Sequence, residues 1–294
     1  MPEPPIKIET HRVPNLLVRQ RLQEYAVGIF NTIVSRKGVK KAIKNGLVFV
    51  NSEVGQTSHW IVGGEEISLY QASQHKKPTI ELDLKVLYED DHLAIVYKPA
   101  GMLVSGNKRF TVENALATNL KKSNELDALL RPEPIHRLDY PTTGALLIGK
   151  TGAAVIALNR LFEKREIIKI YYAVAIKAIN DEGALSNPID GKEALSMYQK
   201  IAELDSLKYE KLNLLKLTPH TGRRHQLRKH LSELGNPLFG DDVYGHEGLV
   251  LRGRGLYLHA RSLEFTHPIT RKEIKVTAPF PKKFVQLFPE ILAT

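Results

Sequence analysis

Beyond residue 80 the chain alternates between short apolar runs and turn-forming segments. Four runs are rich in β-branched and aromatic residues and predict strands: LAIVYK (93–98), GALLIGK (144–150), IIKIYYAVAI (167–176) and EKLNLLKLTP (210–219). Two others carry helical spacing: TGAAVIALNRLFEK (151–164) and HQLRKHLSELG (225–235), the second closed by Gly235 as a C-terminal cap. Strands and helices do not alternate regularly, which argues for an α+β fold over a doubly wound sheet. Upstream, RLQEYAVGIF reads as a first helix and SRKGVKKAIKNG (35–46) as a second. LVFVNSE and GGEEISLY then follow as strands. The polar segment QASQHKKP (71–78) lacks periodicity and ends in Pro, so it marks the boundary. The expected organisation is an N-terminal extension (1–14), a small α/β domain (15–72), a linker (73–80) and a large domain (81–294).

Composition narrows the classes. At 294 residues with 43% hydrophobic side chains, the chain can bury a real core in one or two domains. No run of about 18 apolar residues is present, so no membrane span is expected. The N-terminus lacks the apolar segment of a secretory signal. Cysteine is absent, which removes disulfides, thiolate metal sites and a cysteine nucleophile, and fits a cytoplasmic location. With 42 Lys+Arg against 32 Asp+Glu, the net charge of +10 points to a polyanionic partner, nucleic acid before a membrane surface.

The positive charge is clustered. On the helix predicted at 35–46, Arg36, Lys37, Lys40, Lys41 and Lys44 fall within an arc of about 140°, with Val39, Ala42 and Ile43 opposite. Most charge runs are solvated faces, but this one carries no acid, and a uniformly basic face suits phosphate tracking. A second cluster, TPHTGRRHQLRKH (218–230), leads into a helix. Positive charge at a helix start opposes the helix dipole, so a substrate phosphate or a buried carboxylate should compensate it, with Asp139 a candidate.

Familiar catalytic signatures are missing. There is no G-x-S-x-G and no H-E-x-x-H, and Gly253 and Gly255 form a G-x-G without a third glycine. His220, His225 and His230 are five residues apart and do not share a helix face, so no metal site is expected. What remains is HRLDYPTTG (136–144), which sets an acid and an arginine two residues apart ahead of an apolar strand. It reads either as a turn held by an Arg137–Asp139 pair or as a catalytic carboxylate on a loop.

HRLDYPTTGALLIGKT (136–151) resembles the H-R-L-D-x-x-T-[ST]-G signature of the RluA-type pseudouridine synthases. VLYEDDHLAIVYKPAGMLV (86–104), KIYYAVA (169–175), HTGRRHQLRKHLSELGNPLFGDDVYG (220–245) and LHARSLEFTHP (258–268) are similar to four further motifs of that family, in family order. Tyr97 stands where that family usually has Asn, and Ser105 where His-Pro often follows; Arg224 and His220 replace the commoner Thr and Lys. Segments 104–130 and 178–195 are shorter than in many members, which bears on the choice of RNA. The order helix, basic helix, then the strand LVFVN over roughly 15–70 resembles an S4-type RNA-binding domain, a common partner of that family.

The resemblance implies a mixed, mainly antiparallel sheet in the large domain and isomerisation of uridine to pseudouridine in structured RNA, without cofactor or metal. It assigns Asp139 as the catalytic carboxylate and Arg223 as the cation beside it. Tyr171 is the aromatic that stacks on uracil and helps remove the proton from the base carbon. Arg137 fills the space vacated by the flipped base, while Arg224 and Arg228 join the basic helix in RNA binding. His136 reads as a structural hydrogen-bonding residue, and Leu138, Leu146 and Ile148 as core. Ribosomal RNA of the large subunit is the favoured substrate and tRNA the alternative, and a monomer is expected. Two other readings remain: a non-catalytic RNA-binding ribosome-assembly factor, against which the Asp139, Tyr171 and Arg223 set speaks, and a glycosidase, which normally needs two placed carboxylates.

Overall fold

In the computed structural model the chain divides into two compact units, residues 1–77 and 78–294. The structure describes residues 5–33, 35–71, 78–250, 253 and 255–292.

The first unit contains strands β1 (Ile6–Arg12), β2 (Gln20–Arg21), β3 (Val48–Val50), β4 (Glu53–Val54), β5 (Trp60–Ile61) and β6 (Glu66–Gln71). Helices α1 (Leu22–Tyr25) and α2 (Arg36–Lys44) lie between β2 and β3. Residues 6–12 are part of this unit's sheet rather than an extension: β1 pairs antiparallel with β6 in the order β1-β6-β3-β4. The first helix is a single turn, because Gly28 at φ +87° takes the chain out of helical conformation and lets Phe30 reach the core. Helix α2 forms as the periodicity predicts. Ser35 Oγ caps it by accepting from the Gly38 N–H at 3.1 Å, and Val39, Ala42 and Ile43 are buried. Gly46 at φ +67° ends it and turns the chain into β3.

In the second unit, residues 78–80 belong to the folded body and not to a linker, since Ile80 is buried against Val112 and Leu116. Residues 73–77 of the predicted linker, and residue 72 before it, lie outside the described residues. The strands are β7 (Val86–Glu89), β8 (Leu93–Lys98), β9 (Ala128–Pro134), β10 (Thr143–Thr151) and β11 (Ile168–Ile176), then β12 (Glu182–Leu185), β13 (Ser196–Ser206), β14 (Glu210–Pro219), β15 (Leu258–Thr266) and β16 (Glu273–Thr277). The helices are α3 (Val112–Asn119), α4 (Gly152–Glu163), α5 (Gln226–Glu233), α6 (Lys282–Leu287) and α7 (Pro289–Leu292). The sheet runs β12-β13-β14-β11-β15-β10-β8-β7, with β9 beside β10 and β16 beside β15. Among the described residues only β10 and β15 pair in parallel; every other ladder of this sheet is antiparallel.

Both faces of the centre are covered, which is why the strands read as continuous apolar runs. On β8 and β10, Ala94, Val96, Leu146 and Ile148 pack with α3, while Leu93, Ile95, Ala145 and Leu147 pack with α4, β15 and β16. On β11, Ala173 and Ala175 meet Leu227 and Leu231 of α5, while Val174 and Ile176 meet Phe284 of α6, Leu292 of α7 and Phe288 between them. No helix among the described residues is long and apolar enough to cross a membrane.

The β10–β15 approach places the loop that carries Asp139. Gly144 sits at φ +120°, and a Cβ there would lie 2.1 Å from the Ala260 carbonyl oxygen. Gly144→Ala should therefore destabilise the protein by more than about 2 kcal/mol, read by denaturant unfolding, because both backbone conformation and contact distance forbid a side chain.

Candidate active site

Three segments converge at the centre of the second unit's sheet: the β9–β10 loop, the start of β11, and the turn between β14 and α5. Together they line a cleft of about 440 Å³.

The β9–β10 loop is held from below. The Thr142 N–H donates to the Asp139 carbonyl at 3.0 Å, closing the turn. Lys98, at the end of β8 and 0% exposed, donates from Nζ to the carbonyls of Pro99 (2.9 Å), Tyr140 (3.2 Å) and Thr142 (2.8 Å). Burial pulls its ammonium down to about 8, with the Asp139 charge acting the other way. Sequence reasoning missed Lys98; the available signal was a lone charge closing an otherwise apolar strand. Lys98→Met removes the tie between loop and strand. We expect saturating turnover to fall by about 10–100-fold with little change in RNA affinity, since small misplacements of a reacting group are costly. Active-site titration alongside a binding isotherm reads both.

His136 has the structural role expected of it. Its Nε2 accepts the Leu147 N–H at 3.1 Å, and its ring lies 5.1 Å from that of Phe162. Burial, reinforced by the Lys169 charge, pushes it down to about 4, so it is neutral with its proton on Nδ1. Leu138, Leu146 and Ile148 are buried in the core.

Asp139, with 15% of its side chain exposed, faces two groups of the β14–α5 segment: His225 Nε2 lies 3.7 Å from Oδ1, and Arg228 Nη1 3.7 Å from Oδ2. This corrects two sequence-based assignments. The cation beside Asp139 is Arg228 and not Arg223, whose Nε donates to the Glu193 carbonyl at 2.8 Å. Arg228 in turn is not a surface RNA contact, because only 3% of its side chain is exposed. The chain leaves β14 through a tight turn fastened by buried Gln226. Its Oε1 accepts from Thr221 Oγ1 (2.7 Å) and the Arg223 N–H (2.9 Å), and its Nε2 donates to Ser196 Oγ (2.8 Å) and the Leu195 carbonyl (3.0 Å). That turn delays the helix to Gln226, so position 228 lies one half-turn inside, facing Asp139, while Arg223 and Arg224 remain on the turn.

Arg228 is itself held by Asp241, which sequence reasoning did not single out. Asp241 is 1% exposed and takes both Nε and Nη2 of Arg228 at 2.7 Å, and it accepts the N–H groups of Val243 and Tyr244 at 3.0 Å. Burial raises the Asp241 carboxyl, but these bonds outweigh it and hold it below the usual carboxylate range. Asp241 and Asp139, more than 100 residues apart in the chain, thus flank one guanidinium, and Asp241 is the main compensation for the basic start of α5.

His225 carries the turn at φ +56°, a left-handed conformation that a non-glycine side chain takes at a cost. Its Nδ1 lies 2.9 Å from Tyr244 Oη. Burial lowers its basicity; Asp139 opposes this, and Arg228, Arg224 and Arg137 reinforce it.

Tyr171 stands on β11, paired with Ala260 of β15 and Leu217 of β14, and lines the cleft with Asp139. Burial and the Asp139 charge push its hydroxyl well above the ordinary tyrosine range, so the phenol stays protonated. Arg137 is exposed at the cleft and is not within 4 Å of Asp139, so the two do not form the expected pair. Arg224 is exposed in the same lining. The cleft therefore gathers Arg137, Lys169, Arg223, Arg224 and Arg228 around a single carboxylate, Asp139.

On the first unit, Arg36, Lys37, Lys41 and Lys44 are exposed on α2 and Lys40 is half-buried. Arg36 meets Glu24 of α1 at 3.4 Å, an acid that lies outside the helix itself. Arg19 and Arg21, which the sequence reading passed over, stack 4.4 Å and 3.9 Å from the centre of the Trp60 ring.

Comparison with known proteins gives one answer. Residues 92–233 match the family model described as RNA pseudouridylate synthase. An RNA pseudouridine synthase of Aquifex aeolicus is 33% identical over 86% of this chain and 88% of that protein. The ribosomal large subunit pseudouridine synthase D of Vibrio parahaemolyticus is 32% identical over 95% of this chain and 93% of that protein. The solved structure of human RNA pseudouridylate synthase domain containing 1 shares the fold, with a TM-score of 0.57 at 24% identity over 69% of this chain and 87% of that one. With motifs, fold and relatives agreeing, this chain belongs to the RluA-type RNA pseudouridine synthase family, isomerases that convert uridine to pseudouridine within RNA.

Proposed function

We propose that this protein isomerises specific uridines of large-subunit ribosomal RNA, with Asp139 as the reacting carboxylate. The observation that carries the reading is the cleft itself: one carboxylate, with a buried arginine 3.7 Å from it, in a lining that otherwise carries cations. Curated relatives that match nearly the whole chain are named as ribosomal large subunit pseudouridine synthases, which favours that RNA.

The reaction breaks the N1–C1′ bond, turns the base and joins C5 to C1′. The hydrogen on C5 leaves as a proton and N1 gains one, so no electrons are exchanged with a cofactor. Asp139 acts at the sugar or base, and Arg228 favours its ionised form. Tyr171 serves as a stacking surface and a hydroxyl donor. Taking the C5 proton would require a phenolate beside Asp139, so the carboxylate is the better acceptor. The target base must leave its stack to reach Asp139, and exposed Arg137 is placed to fill the gap.

The first unit acts as an S4-like RNA-binding domain through α2. Reversing the charges of exposed Lys37, Lys41 and Lys44 should weaken RNA binding and make log K fall less steeply with log salt, by roughly two to three phosphate contacts. An unchanged slope would remove α2 from the interface.

A pseudouridine map of cellular RNA, with and without the protein, tests the function. Sites that vanish on deletion and return with wild type but not with Asp139→Ala establish it and identify the uridine. A map with no change in large-subunit RNA refutes the substrate assignment.

A further inference from the structure

Lys169 is a cation that the reaction scheme leaves unused. It stands two residues before Tyr171 on β11, on the same face of the strand and about 7 Å from it along the chain. It lines the same cleft as Asp139 and is half-buried. Among the described residues no carboxylate lies within 4 Å of it and no hydrogen-bond acceptor holds it. Its neighbours are the Phe162 ring, 5.7 Å from Nζ, neutral His136, and the positive charge of Arg165. Its setting differs from that of the other buried or half-buried cations named at the active centre. Arg228 has Asp241, Arg223 has the Glu193 carbonyl and Lys98 has three carbonyls.

A lysine that only lays its stem on an aromatic ring keeps its ammonium in water. Lys169 instead holds its charge partly desolvated, beside a second cation, and burial lowers its basicity. Such an arrangement is unfavourable in the free protein and becomes favourable when an anion enters.

We propose that Lys169 is a substrate-binding residue that meets the negatively charged oxygens of the uridine nucleotide drawn into the cleft. This rests on the proposed function and adds a residue to it. Two parts of that nucleotide supply the chemistry. One is the uracil carbonyl oxygens, on which negative charge grows as the N1–C1′ bond weakens. The other is the flanking phosphate. An ammonium already in place would stabilise either without reorganisation.

The experiment uses the full-length protein and a transcript of large-subunit RNA containing the mapped uridine, with Lys169→Met and Lys169→Arg variants. If uracil is the partner, Lys169→Met lowers the single-turnover rate at saturating RNA by roughly 10–100-fold and leaves affinity unchanged. If phosphate is the partner, affinity falls, the salt slope becomes shallower by about one contact, and the saturating rate holds. Either result supports the proposal, and Lys169→Arg should restore most of the loss. The proposal is overturned if Lys169→Met matches wild type in rate and affinity. It is also overturned if Lys169→Met lowers thermal stability and activity together without rescue by arginine, which would make Lys169 a packing residue on Phe162. Wild-type turnover in the same tubes keeps the two readings apart: active wild type with an equally active Lys169→Met removes only the role of Lys169.

Discussion

Asp139→Asn should abolish pseudouridine formation, with a loss of at least ~1000-fold in single-turnover rate, while RNA affinity changes by no more than about threefold. The substitution keeps the size of the side chain and its place opposite His225 and Arg228 but removes the charge and the nucleophilic oxygen. RNA affinity should survive because it resides in phosphate contacts spread over many cations, of which Arg137, Arg223 and Arg224 line the cleft. A parallel loss of rate and affinity would show that Asp139 organises the binding surface instead of reacting. Retained turnover would show that Asp139 is not the reacting carboxylate.

Arg228→Met should be the most destabilising single change near the site. Its removal leaves Asp241 buried with a full charge and no guanidinium, and breaking one side of a buried pair costs about 3–5 kcal/mol. It also removes the cation from Asp139, so turnover should fall by roughly 100-fold or more even in the protein that remains folded. The double variant Arg228→Met/Asp241→Asn separates the effects: stability should largely return while turnover stays low. If stability does not recover, Arg228 contributes mainly through packing on the Tyr244 ring, whose centre lies 5.0 Å away.

The same pair sets a pH dependence. Asp241 has a lower pKa in the folded state than in the unfolded chain, so the folded state holds fewer protons on it as pH falls. Its contribution to stability is fully present above about pH 4, the unfolded carboxylate value, and is lost as pH drops through the lower folded value. Denaturant unfolding between about pH 2 and 5 should show this loss in wild type and a smaller one in Asp241→Asn.

Much of this was legible in the chain. The strands at 93–98 and 210–219 appear at the boundaries their apolar runs predict, and α2 buries Val39, Ala42 and Ile43 as its spacing requires. These elements are local: periodicity, caps and turn residues specify them without reference to distant partners. The loop at 136–144 and its acid were also visible, because charge ahead of a fully apolar strand is unusual and the surrounding motifs are specific. The short α1 and the strand β1 were not legible. A single left-handed glycine cut the helix, and β1 is a polar edge strand whose place depends on β6 some 60 residues later.

The partner of Asp139 was a tertiary decision. Arg223 and Arg228 look equivalent in sequence, both basic and both near a helix start. Gln226 fastens the turn and His225 takes a left-handed backbone, so the helix begins late and presents Arg228 to the carboxylate while Arg223 stays on the turn. Asp241 then fixes that guanidinium from a segment no spacing rule connects to it. Sequence alone determined that one acid would sit among many bases in a protein built to meet a polyanion. Which base holds that acid, and which cation waits for substrate, followed only from where the sheet brought three distant segments together, because electrostatic pairing depends on distance through space and not along the chain.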